Sequence, residues 1–352
     1  MKKLLAVTFA AAVCAAAVFG GTGCGAKDPA SPDGEEAKKY TVYSPDGAPA
    51  LSLAYGISKA GENTKYEFEY RVIASATVQA QVTGEKPAAD FCVLPVNLAS
   101  KLLGSGETYR MLGTVTNGNL YFLTTGDHPV ITAENAASAL VGKTVGCVQL
   151  TNVPGLTLRA ALADLGVAYQ VIENLDAAKS EDKVNLLQMG TDAANVSPAF
   201  GCDYYLCPEP AFTAKINGTA GGANPFKLAG DLQEIYGGEN GYPQAVLVAK
   251  KSVIETDEDA VELLVSYFEG SAEYLASAEP SAVAALIGGK LTAGLTPSFN
   301  DKNLTAEVIS RCSVRYTPAK DCKTTVNAFL AKLKAIGADF VSDVTDAFYY
   351  GA

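Results

Sequence analysis

The chain has 352 residues, of which 48% are hydrophobic and only 18% are charged. This composition provides enough apolar surface for two ordinary domains and excludes a disordered or fibrous protein. The 38 acidic residues outnumber the 27 basic ones and give a net charge of −11. This charge excludes sequence-independent electrostatic binding to nucleic acid or to an anionic membrane. Tryptophan is missing and His128 is the single histidine, so a histidine-rich metal site is excluded.

The first residues have the pattern of an export signal. Lys2 and Lys3 precede an uninterrupted run of apolar and small residues over 4–19, which suits a signal sequence better than a membrane span. No second stretch of 18 or more apolar residues follows. The sequence therefore predicts an exported protein with no membrane-spanning helix.

Small residues at 21–23 lead into Cys24, which resembles the processing site of bacterial lipoproteins. Residues 1–24 are predicted to be the signal peptide, and Cys24 is predicted to become the lipid-carrying first residue. Simple cleavage without lipid is the alternative. Residues 25–38 are rich in Pro, Gly and charged side chains and are predicted to be a flexible tether.

A strand, a tight turn and a helix follow the tether, and the same unit returns about a hundred residues later. The first unit has a strand at 41–43, a turn at 44–49 (SPDGAP) and helical spacing at Ala50, Leu53, Ala54 and Ile57. The second has a strand at 143–148, a turn at 149–154 and helical spacing at Leu158, Ala161, Leu162 and Leu165. A second repeated unit, DFCVLPVN at 90–97 and DYYLCPEP at 203–210, is an apolar strand that ends in proline.

Each half then closes with two strands around a turn rich in Gly and Asn, at 117–119 and at 237–241. The repeat predicts an α/β protein of two similar lobes with mixed, mostly parallel sheets flanked by helices and joined by two crossing strands. The predicted lobes are residues 39–124 with 243–352, and residues 125–242. One large α/β sheet is the alternative. After residue 256 the pattern is helical, and Thr256 with Asp259 predicts a capping box.

Together these features resemble ABC-transporter substrate-binding proteins, and most closely the sulfonate, nitrate and thiamine-precursor group of the type II periplasmic-binding-protein fold. The resemblance rests on the order and spacing of the signal with Cys24, PDGAP at 45–49, the two proline-ended strands, YPQ at 242–244 and DAFYY at 346–350. It implies a ligand in the cleft between two lobes and delivery to a membrane permease. It does not imply which ligand, because this group binds many.

The candidate ligand-binding residues follow from the rule that ligands sit beyond the carboxyl ends of strands in open α/β sheets. At Asp46, Gly47 and Ala48 a glycine precedes a predicted helix with Pro49 at its first position, so free amides could contact a ligand. An ordinary turn, with Asp46 as the helix cap, is the alternative.

Ser75 and Thr77 end the next strand, where each hydroxyl either binds a ligand or caps a helix. Asn97 follows the proline of the third strand and carries both a donor and an acceptor. We include all three among the candidates.

In the second lobe Gln149, Thr151 and Asn152 occupy the place of the Asp46 turn, with Asn152 as the expected helix N-cap. Glu209 stands where Asn97 stands in the first lobe. Its carboxylate either stabilises a helix N-terminus or favours a ligand with donors or positive charge.

Four further candidates lie near the predicted crossings or the C-terminal helices. Asn119 belongs to the first crossing, and Tyr242 and Gln244 belong to the second. Arg311 has the planar guanidinium that pairs with a carboxylate or sulfonate, with a surface salt bridge or a lobe-packing arginine as the alternative.

Six cysteines remain besides Cys24 and Cys14, which lies in the signal. Cys202 and Cys207 have an odd offset along one strand, so their side chains are expected on opposite faces and not bonded to each other. Cys312 and Cys322 flank a turn where a disulfide is possible by sequence. We expect mostly free, buried thiols and no metal site, since the sequence has no C-x-x-C.

The resemblance implies the solute-binding component of an ABC importer, a non-enzyme without a cofactor. Its partners would be a small polar organic solute and the permease and ATPase subunits, with the membrane contacted only through the lipid. The protein would be a monomer at the outer face of the cell membrane or in the periplasm. The alternatives are an enzyme on the same fold, like thiamine-precursor synthases, and a lipoprotein that senses a solute for a partner receptor.

Overall fold

The computed structural model describes residues 36–190 and 195–351, apart from the side chain of Glu239. The predicted signal peptide, Cys24 and the tether as far as residue 35 lie outside the described residues. Among the described residues, no helix is long and apolar enough to cross a membrane.

The described residues contain twelve strands. In chain order they are β1 (Lys38–Pro45), β2 (Tyr66–Ile73), β3 (Phe91–Pro95), β4 (Tyr109–Thr116), β5 (Leu120–Thr124), β6 (Thr144–Cys147), β7 (Tyr169–Ile172), β8 (Val184–Gln188), β9 (Tyr204–Pro208), β10 (Lys227–Asp231), β11 (Ala245–Lys250) and β12 (Val314–Pro318).

The same part of the chain contains thirteen α-helices. They are α1 (Ala48–Leu51), α2 (Ala54–Ser58), α3 (Val78–Val82), α4 (Val96–Leu103), α5 (Ala136–Leu140), α6 (Val153–Asp164), α7 (Ala211–Thr219), α8 (Lys251–Thr256), α9 (Glu258–Glu269), α10 (Ser271–Ser277), α11 (Pro280–Gly288), α12 (Ala306–Arg311) and α13 (Ala319–Ile336).

The strands form two six-stranded sheets. The first has the order β12-β4-β11-β3-β1-β2 and the second the order β10-β5-β9-β6-β8-β7. Each sheet is mixed: β2, β1 and β3 pair in parallel in the first sheet, and β7, β8, β6 and β9 do so in the second. The remaining pairs, which include the strands next to the crossings, are antiparallel. The predicted fold class of two mixed α/β lobes joined by two crossings is confirmed.

The chain changes sheet between β4 and β5 and again between β10 and β11. Because β5 pairs with β9 and β10 of the second sheet, the first change falls at residues 117–119, where the first crossing was predicted, so β5 lies in the second sheet although the predicted lobe limit follows residue 124. The second change falls at 232–244, where the predicted strand over 228–236 ends at Asp231 and a helical turn, Gln233–Gly237, follows. We propose lobe limits at these two segments.

The predicted repeat reappears as one equivalent hydrogen bond in each sheet. The amide of Thr41 donates to Asp90 Oδ2 at 2.9 Å, and the amide of Thr144 donates to Asp203 Oδ2 at 2.8 Å. In both cases an aspartate just before one strand holds the first part of the neighbouring parallel strand. The two lobes therefore have the same local design at the end of the sheet away from the crossings.

The crossings decide which ends of the two sheets face each other. β3 and β1 run parallel to β4, whose last residue leads into the first crossing, so their carboxyl ends point toward the second sheet. β9 runs antiparallel to β5, which starts at that crossing, so the carboxyl ends of β9 and β6 point toward the first sheet. The two carboxyl edges therefore face each other, and we call the region between them the cleft.

Alternating residues of each sheet pack into different apolar clusters. Tyr43 and Cys92 belong to a cluster that continues from α4 and α13 of the first lobe to α6 of the second. On the opposite faces, Val42 packs with α9 in the first lobe, and Tyr205 packs with Phe212 of α7 in the second. The lobes therefore share apolar contacts on the side of α6 and α13, where Lys332 also pairs with Asp164.

Three local predictions differ from the structure. β1 begins at Lys38, inside the predicted tether, because Lys38 already pairs with Tyr66. The single helix predicted through Ile57 is divided into α1 and α2. The predicted capping box is wrong, because α9 begins after Asp257 and not after Thr256. Burial alone would raise the pKa of the Asp257 carboxyl, but hydrogen bonds from Lys38, Tyr66 and Tyr40 lower it to about 2.

All six cysteines in the described part of the chain are buried and free. The prediction of mostly free thiols is confirmed, and the possible bridge between Cys312 and Cys322 is absent. Burial raises the pKa of the Cys147 thiol to about 12 and that of Cys202 to about 11. These thiols are therefore protonated at neutral pH and act as small apolar groups.

Gly241 beside the second crossing provides the first testable prediction. Gly241 and Gly238 have the same backbone conformation, with φ of +66° and +59° and ψ of −156° and −160°, which only glycine adopts easily. A Cβ on Gly241 would lie 1.8 Å from the carbonyl oxygen of Asn117, whereas a Cβ on Gly238 would meet nothing within 4 Å. We expect Gly241→Ala to lower the free energy of unfolding by at least about 1 kcal/mol more than Gly238→Ala.

Urea unfolding of the two variants measures this difference, and Gly238→Ala is the control because it carries the same backbone strain. Equal losses of stability would show that the close approach of residues 241 and 117 does not occur in solution.

Candidate functional site

The cleft between the carboxyl edges brings together most of the residues predicted to bind a ligand. From the first lobe, the turns after β1 and β3 and the start of β11 reach this edge. From the second lobe, the turns after β6 and β9 reach it. The predicted residues at these places are Asp46, Gly47, Ala48, Asn97, Gln149, Thr151, Asn152, Glu209 and Gln244.

The turn after β1 is built around Gly47. This residue has φ +98° and ψ −154°, a conformation essentially restricted to glycine. Asp46 does not cap α1; its Oδ2 accepts hydrogen bonds from both the amide and the hydroxyl of Ser298, each at 2.7 Å. Its Oδ1 is buried without a hydrogen-bond partner. Because α1 is only four residues long and has Pro49 as its second residue, its N-terminus offers little dipole or free amide.

Ser75 and Thr77 lie apart from the buried part of the cleft. Both are exposed and belong to a single helical turn, and Thr77 Oγ1 donates to the carbonyl oxygen of Ala74 at 2.8 Å. Their place at the outer end of β2 leaves them at the rim of the cleft.

A chain of amide hydrogen bonds links the two lobes at the crossings. Asn119 Nδ2 donates to the carbonyl oxygen of Glu209 at 2.9 Å, and Gln244 Nε2 donates to Asn119 Oδ1 at 2.5 Å. The backbone amide of Val96, next to Asn97, donates to the carbonyl oxygen of Gln244. These contacts place the predicted residues of both lobes in one network.

Tyr242 is part of the support of this network. It is 3% exposed, its hydroxyl donates to Gln233 Oε1 at 2.9 Å, and its ring stacks on Phe329 at 5.9 Å between centroids. The same Gln233 oxygen accepts from the amide of Leu120 at 2.7 Å. The hydroxyl and the ring face that Tyr242 could offer to a ligand are therefore engaged inside the protein.

Glu209 is buried at the carboxyl end of β9, with its side chain 0% exposed. Thr213 donates to it through its hydroxyl at 2.6 Å and its amide at 3.2 Å, so Glu209 caps the first turn of α7. Burial raises the pKa of the Glu209 carboxyl, against the opposing effects of Thr213 and of Arg311. The structural role at a helix N-terminus, given as the alternative in the sequence analysis, therefore exists in the structure.

Arg311 joins the lobes. It ends α12, which packs in the first lobe, yet its guanidinium lies over the rings of Tyr121 and Phe212 in the second lobe, at 5.7 and 5.4 Å. Its Nη1 lies 3.8 Å from Glu209 Oε1, and its Nη2 lies 2.7 Å from Glu307 Oε1. The lobe-packing role given as the alternative for this arginine is thus present, with two carboxylates against one cation.

The turn after β6 presents polar groups of the second lobe. Gln149 has φ +51°, and its amide donates to the carbonyl oxygen of Gly190 at 2.9 Å. Asn152 is the N-cap of α6 as predicted, although its Oδ1 accepts from the next amide, Val153, at 3.1 Å. Thr151 is exposed.

Two grooves lie elsewhere on the surface and contain none of the predicted residues. One of about 610 Å³ runs along the outer edge of β2, and one of about 470 Å³ lies between α13 and residues 341–344. In the cleft, by contrast, the contacts of Arg311 with Tyr121, Phe212 and Glu209 bring the lobes together. We favour the cleft because both sheets direct their carboxyl ends to it and because it contains buried polar atoms without partners.

Sequence reasoning missed Ser298, Gln233, Tyr121 and Phe212. Ser298 lies 252 residues from Asp46, and the cation–π contacts of Arg311 join segments 190 and 99 residues away. No local pattern marks such pairs, because each partner has an ordinary apolar or polar context of its own.

His128 lies far from the cleft. Its Nε2 is 3.6 Å from Asp203 Oδ1, at the end of β9 opposite to Glu209, and its ring packs on Tyr204 at 5.2 Å. Within residues 36–190 and 195–351, no group of three or more His, Cys, Asp or Glu side chains could hold a metal ion.

No protein-family model and no curated protein sequence matches this chain. Solved structures do match over most of its length. An ABC-transporter protein of Parabacteroides distasonis shares 16% identity, with a TM-score of 0.66 over 88% of this chain and 98% of that chain.

The aliphatic sulphonate binding protein SsuA of Escherichia coli shares 12% identity, with a TM-score of 0.58 over 87% of this chain and 90% of its own. The nitrate-binding protein NrtA of Synechocystis PCC 6803 shares 12% identity, with a TM-score of 0.56 over 89% and 84%. The resemblance predicted from the sequence is confirmed at the level of the fold: this chain has the two-lobed architecture of ABC-transporter substrate-binding proteins, including the sulfonate and nitrate binders.

Proposed function

We propose that this protein is the extracytoplasmic solute-binding component of an ABC importer. It would capture a small polar organic molecule between its lobes and deliver that molecule to a permease and its ATPase. The observation that carries the proposal is the cleft, in which two carboxyl sheet edges meet and leave buried polar atoms of Asp46, Asn97 and Gln244 without hydrogen-bond partners. Such atoms cost free energy unless a ligand or water pairs with them.

The proposal includes a lipid anchor at Cys24. A lipidated protein would be held at the outer face of the membrane, as a monomer, with its lobes free to meet the permease. Mass spectrometry of the native protein is expected to find Cys24 as a modified N-terminus, and an unmodified N-terminus at another residue would contradict the anchor.

Capture without chemistry is preferred over catalysis on the same fold. The only histidine lies at the far end of the second sheet from the cleft, so histidine-based acid/base chemistry has no group there. A bound ligand should therefore be recovered unchanged, and turnover of that ligand would favour the enzyme instead.

A thermal-shift screen of small solutes tests the proposed function. A true ligand at 100 times its Kd should add about 2.7 kcal/mol to the free energy of unfolding, which is a rise in melting temperature of several degrees. The Asn152→Ala variant, which loses a cleft side chain and an N-cap, should bind the same ligand more weakly after its own stability loss of about 1 kcal/mol is subtracted. Uptake assays with and without the cognate permease then separate import from sensing.

A further inference from the structure

Three buried oxygens without hydrogen-bond partners belong to residues next to neighbouring strands, at the cleft-facing edge of the first sheet. They are Asp46 Oδ1 after β1, Asn97 Oδ1 after β3 and Gln244 Oε1 before β11, and each is buried without a partner. Asn97 as a whole is only 6% exposed. Because β1, β3 and β11 are adjacent in the sheet, the three residues adjoin neighbouring strands at the same edge.

The orientation of the Gln244 amide is determined by its neighbours. Asn119 Nδ2 donates to a backbone carbonyl, that of Glu209, which only accepts, so Asn119 must present Oδ1 to Gln244. Gln244 must then use Nε2 as the donor, and Oε1 is the atom left over. Turning the amide would place two acceptors against each other, so Gln244 offers an acceptor and needs a donor.

Two other buried amide side chains beside the crossings have partners. Gln233 accepts two hydrogen bonds and donates to Asp231, and Asn117 Nδ2 donates to the carbonyl oxygen of Arg315 at 3.0 Å. Thr116 Oγ1 and Tyr236 Oη, also beside the crossings, are buried without partners as well. A hydroxyl can donate as well as accept, whereas the Asp46 carboxylate and the oriented Gln244 amide oxygen can only accept.

The charged residues of the cleft turns also favour a cationic ligand. The cleft turns contain the carboxylates Asp46 and Glu209 but no lysine or arginine; the turns are residues 45–49, 74–77, 95–97, 149–152 and 208–210. Of the nearby cations, Arg311 is matched by Glu209 and Glu307, and Arg315 donates to the carbonyl oxygen of Asn240 at the second crossing. Among the described residues the Asp46 carboxylate forms no ion pair, and the hydrogen bonds that it accepts come from the neutral Ser298.

We propose that the cleft binds an organic cation whose N–H groups donate to Asp46 and Gln244, an alkylammonium or guanidinium compound rather than an oxyanion. This inference rests on the proposed solute-binding function and names its substrate class. An ammonium or guanidinium group supplies a positive charge that can pair with the Asp46 carboxylate. It also supplies the N–H donors that the unpaired oxygens need. A sulfonate or nitrate would bring further acceptors to atoms that already lack donors.

Titration calorimetry with three matched series of probes tests the inference. The series are primary alkylamines and alkylguanidines, the corresponding trimethylammonium compounds, and alkanesulfonates with nitrate. We expect the first series to bind, and the trimethylammonium compounds to bind at least about tenfold more weakly because they have charge but no N–H donor. Tight binding by the sulfonates, with no binding by the amines, would overturn the inference.

Two variants locate the contacts. Asp46→Asn removes the charge while keeping the size of the side chain, and is expected to weaken amine binding about tenfold to a hundredfold. Asp127→Asn, at an exposed carboxylate beyond the end of β5 that lies away from the cleft, is the matched control and should leave affinity unchanged. Gln244→Leu, if it folds, should lower the affinity for the amines about tenfold. Unchanged amine affinity in folded Asp46→Asn would overturn the inference.

The outcomes separate this inference from the proposed function. If an oxyanion binds in the cleft, the proposed solute-binding function stands, and only the proposal that the ligand is an organic cation is contradicted. If a broad solute library yields no ligand at all, both the proposed function and the proposed ligand class are contradicted.

Discussion

Arg311→Met is expected to lower the free energy of unfolding by about 3 kcal/mol at pH 7.5, because removing one partner of a buried ion pair leaves the other charge uncompensated. Glu209 is the partner that remains buried, while Glu307 is exposed and loses little. The variant also loses the contacts of the guanidinium with the rings of Tyr121 and Phe212. Urea unfolding monitored by circular dichroism measures the loss.

The loss should depend on pH in a defined direction. Burial raises the pKa of Glu209 in the folded protein, so the folded state holds this proton more tightly than the unfolded state does. The stability that this proton provides is present below the unfolded pKa of about 4.3 and is lost as the pH rises through the folded pKa. Without Arg311 the folded pKa rises further, so the difference in stability between variant and wild type should widen as the pH rises from 5 to 8.

A double variant provides the control. In Glu209→Gln with Arg311→Met no buried carboxylate remains at this place, so adding the arginine change to Glu209→Gln should cost only about 1 kcal/mol, from lost contact with the rings. A loss in the single variant that does not change between pH 5 and pH 8, or one that adds fully in the double variant, would show that Arg311 does not compensate Glu209.

Gly47→Val is expected to weaken binding of the cleft ligand at least about tenfold. Valine cannot adopt the backbone conformation of Gly47 without a strain of about 1–3 kcal/mol, so the peptide between residues 46 and 47 should rotate and displace the Asp46 carboxylate from Ser298. Calorimetry with a ligand found by screening measures the change in affinity.

Gly61→Val is the matched control for this substitution. Gly61 also has a positive φ, +83°, and a Cβ added there would meet nothing within 4 Å, but it lies in the groove along β2, away from the cleft. Its variant should lose comparable stability and keep its affinity. Loss of binding in Gly61→Val with normal binding in Gly47→Val would place the ligand in the β2 groove.

The order of elements was accessible from the sequence because the two lobes repeat one local pattern. An apolar strand, a turn with Gly, Pro or Asn and a helical spacing each depend on neighbours within a few residues. The repeat even included Asp90 and Asp203, which form the same hydrogen bond in their two sheets. The local pattern did not show that β5 belongs to the second sheet, and it missed the break between α1 and α2.

The candidate site was accessible only in part. Sequence alone placed Asp46, Asn97, Gln149 and Glu209 at strand ends, since parallel strands carry ligands at their carboxyl ends. It left open whether each side chain is free or engaged, because that depends on partners far away in the chain. Tertiary packing decided that Tyr242 is occupied by Gln233 and that Arg311 bridges the lobes.

The sequence by itself thus determined the class of fold, the repeat and the buried, unpaired cysteines, because periodicity and turn chemistry act over short distances. Only the tertiary structure decided which polar atoms of the cleft lack partners. Gln244 shows the reason: its free oxygen is defined by a chain of contacts through Asn119 to Glu209, across 125 and 90 residues of sequence. Hydrogen-bond partners that are joined only by the folding of two lobes leave no local signal in the chain.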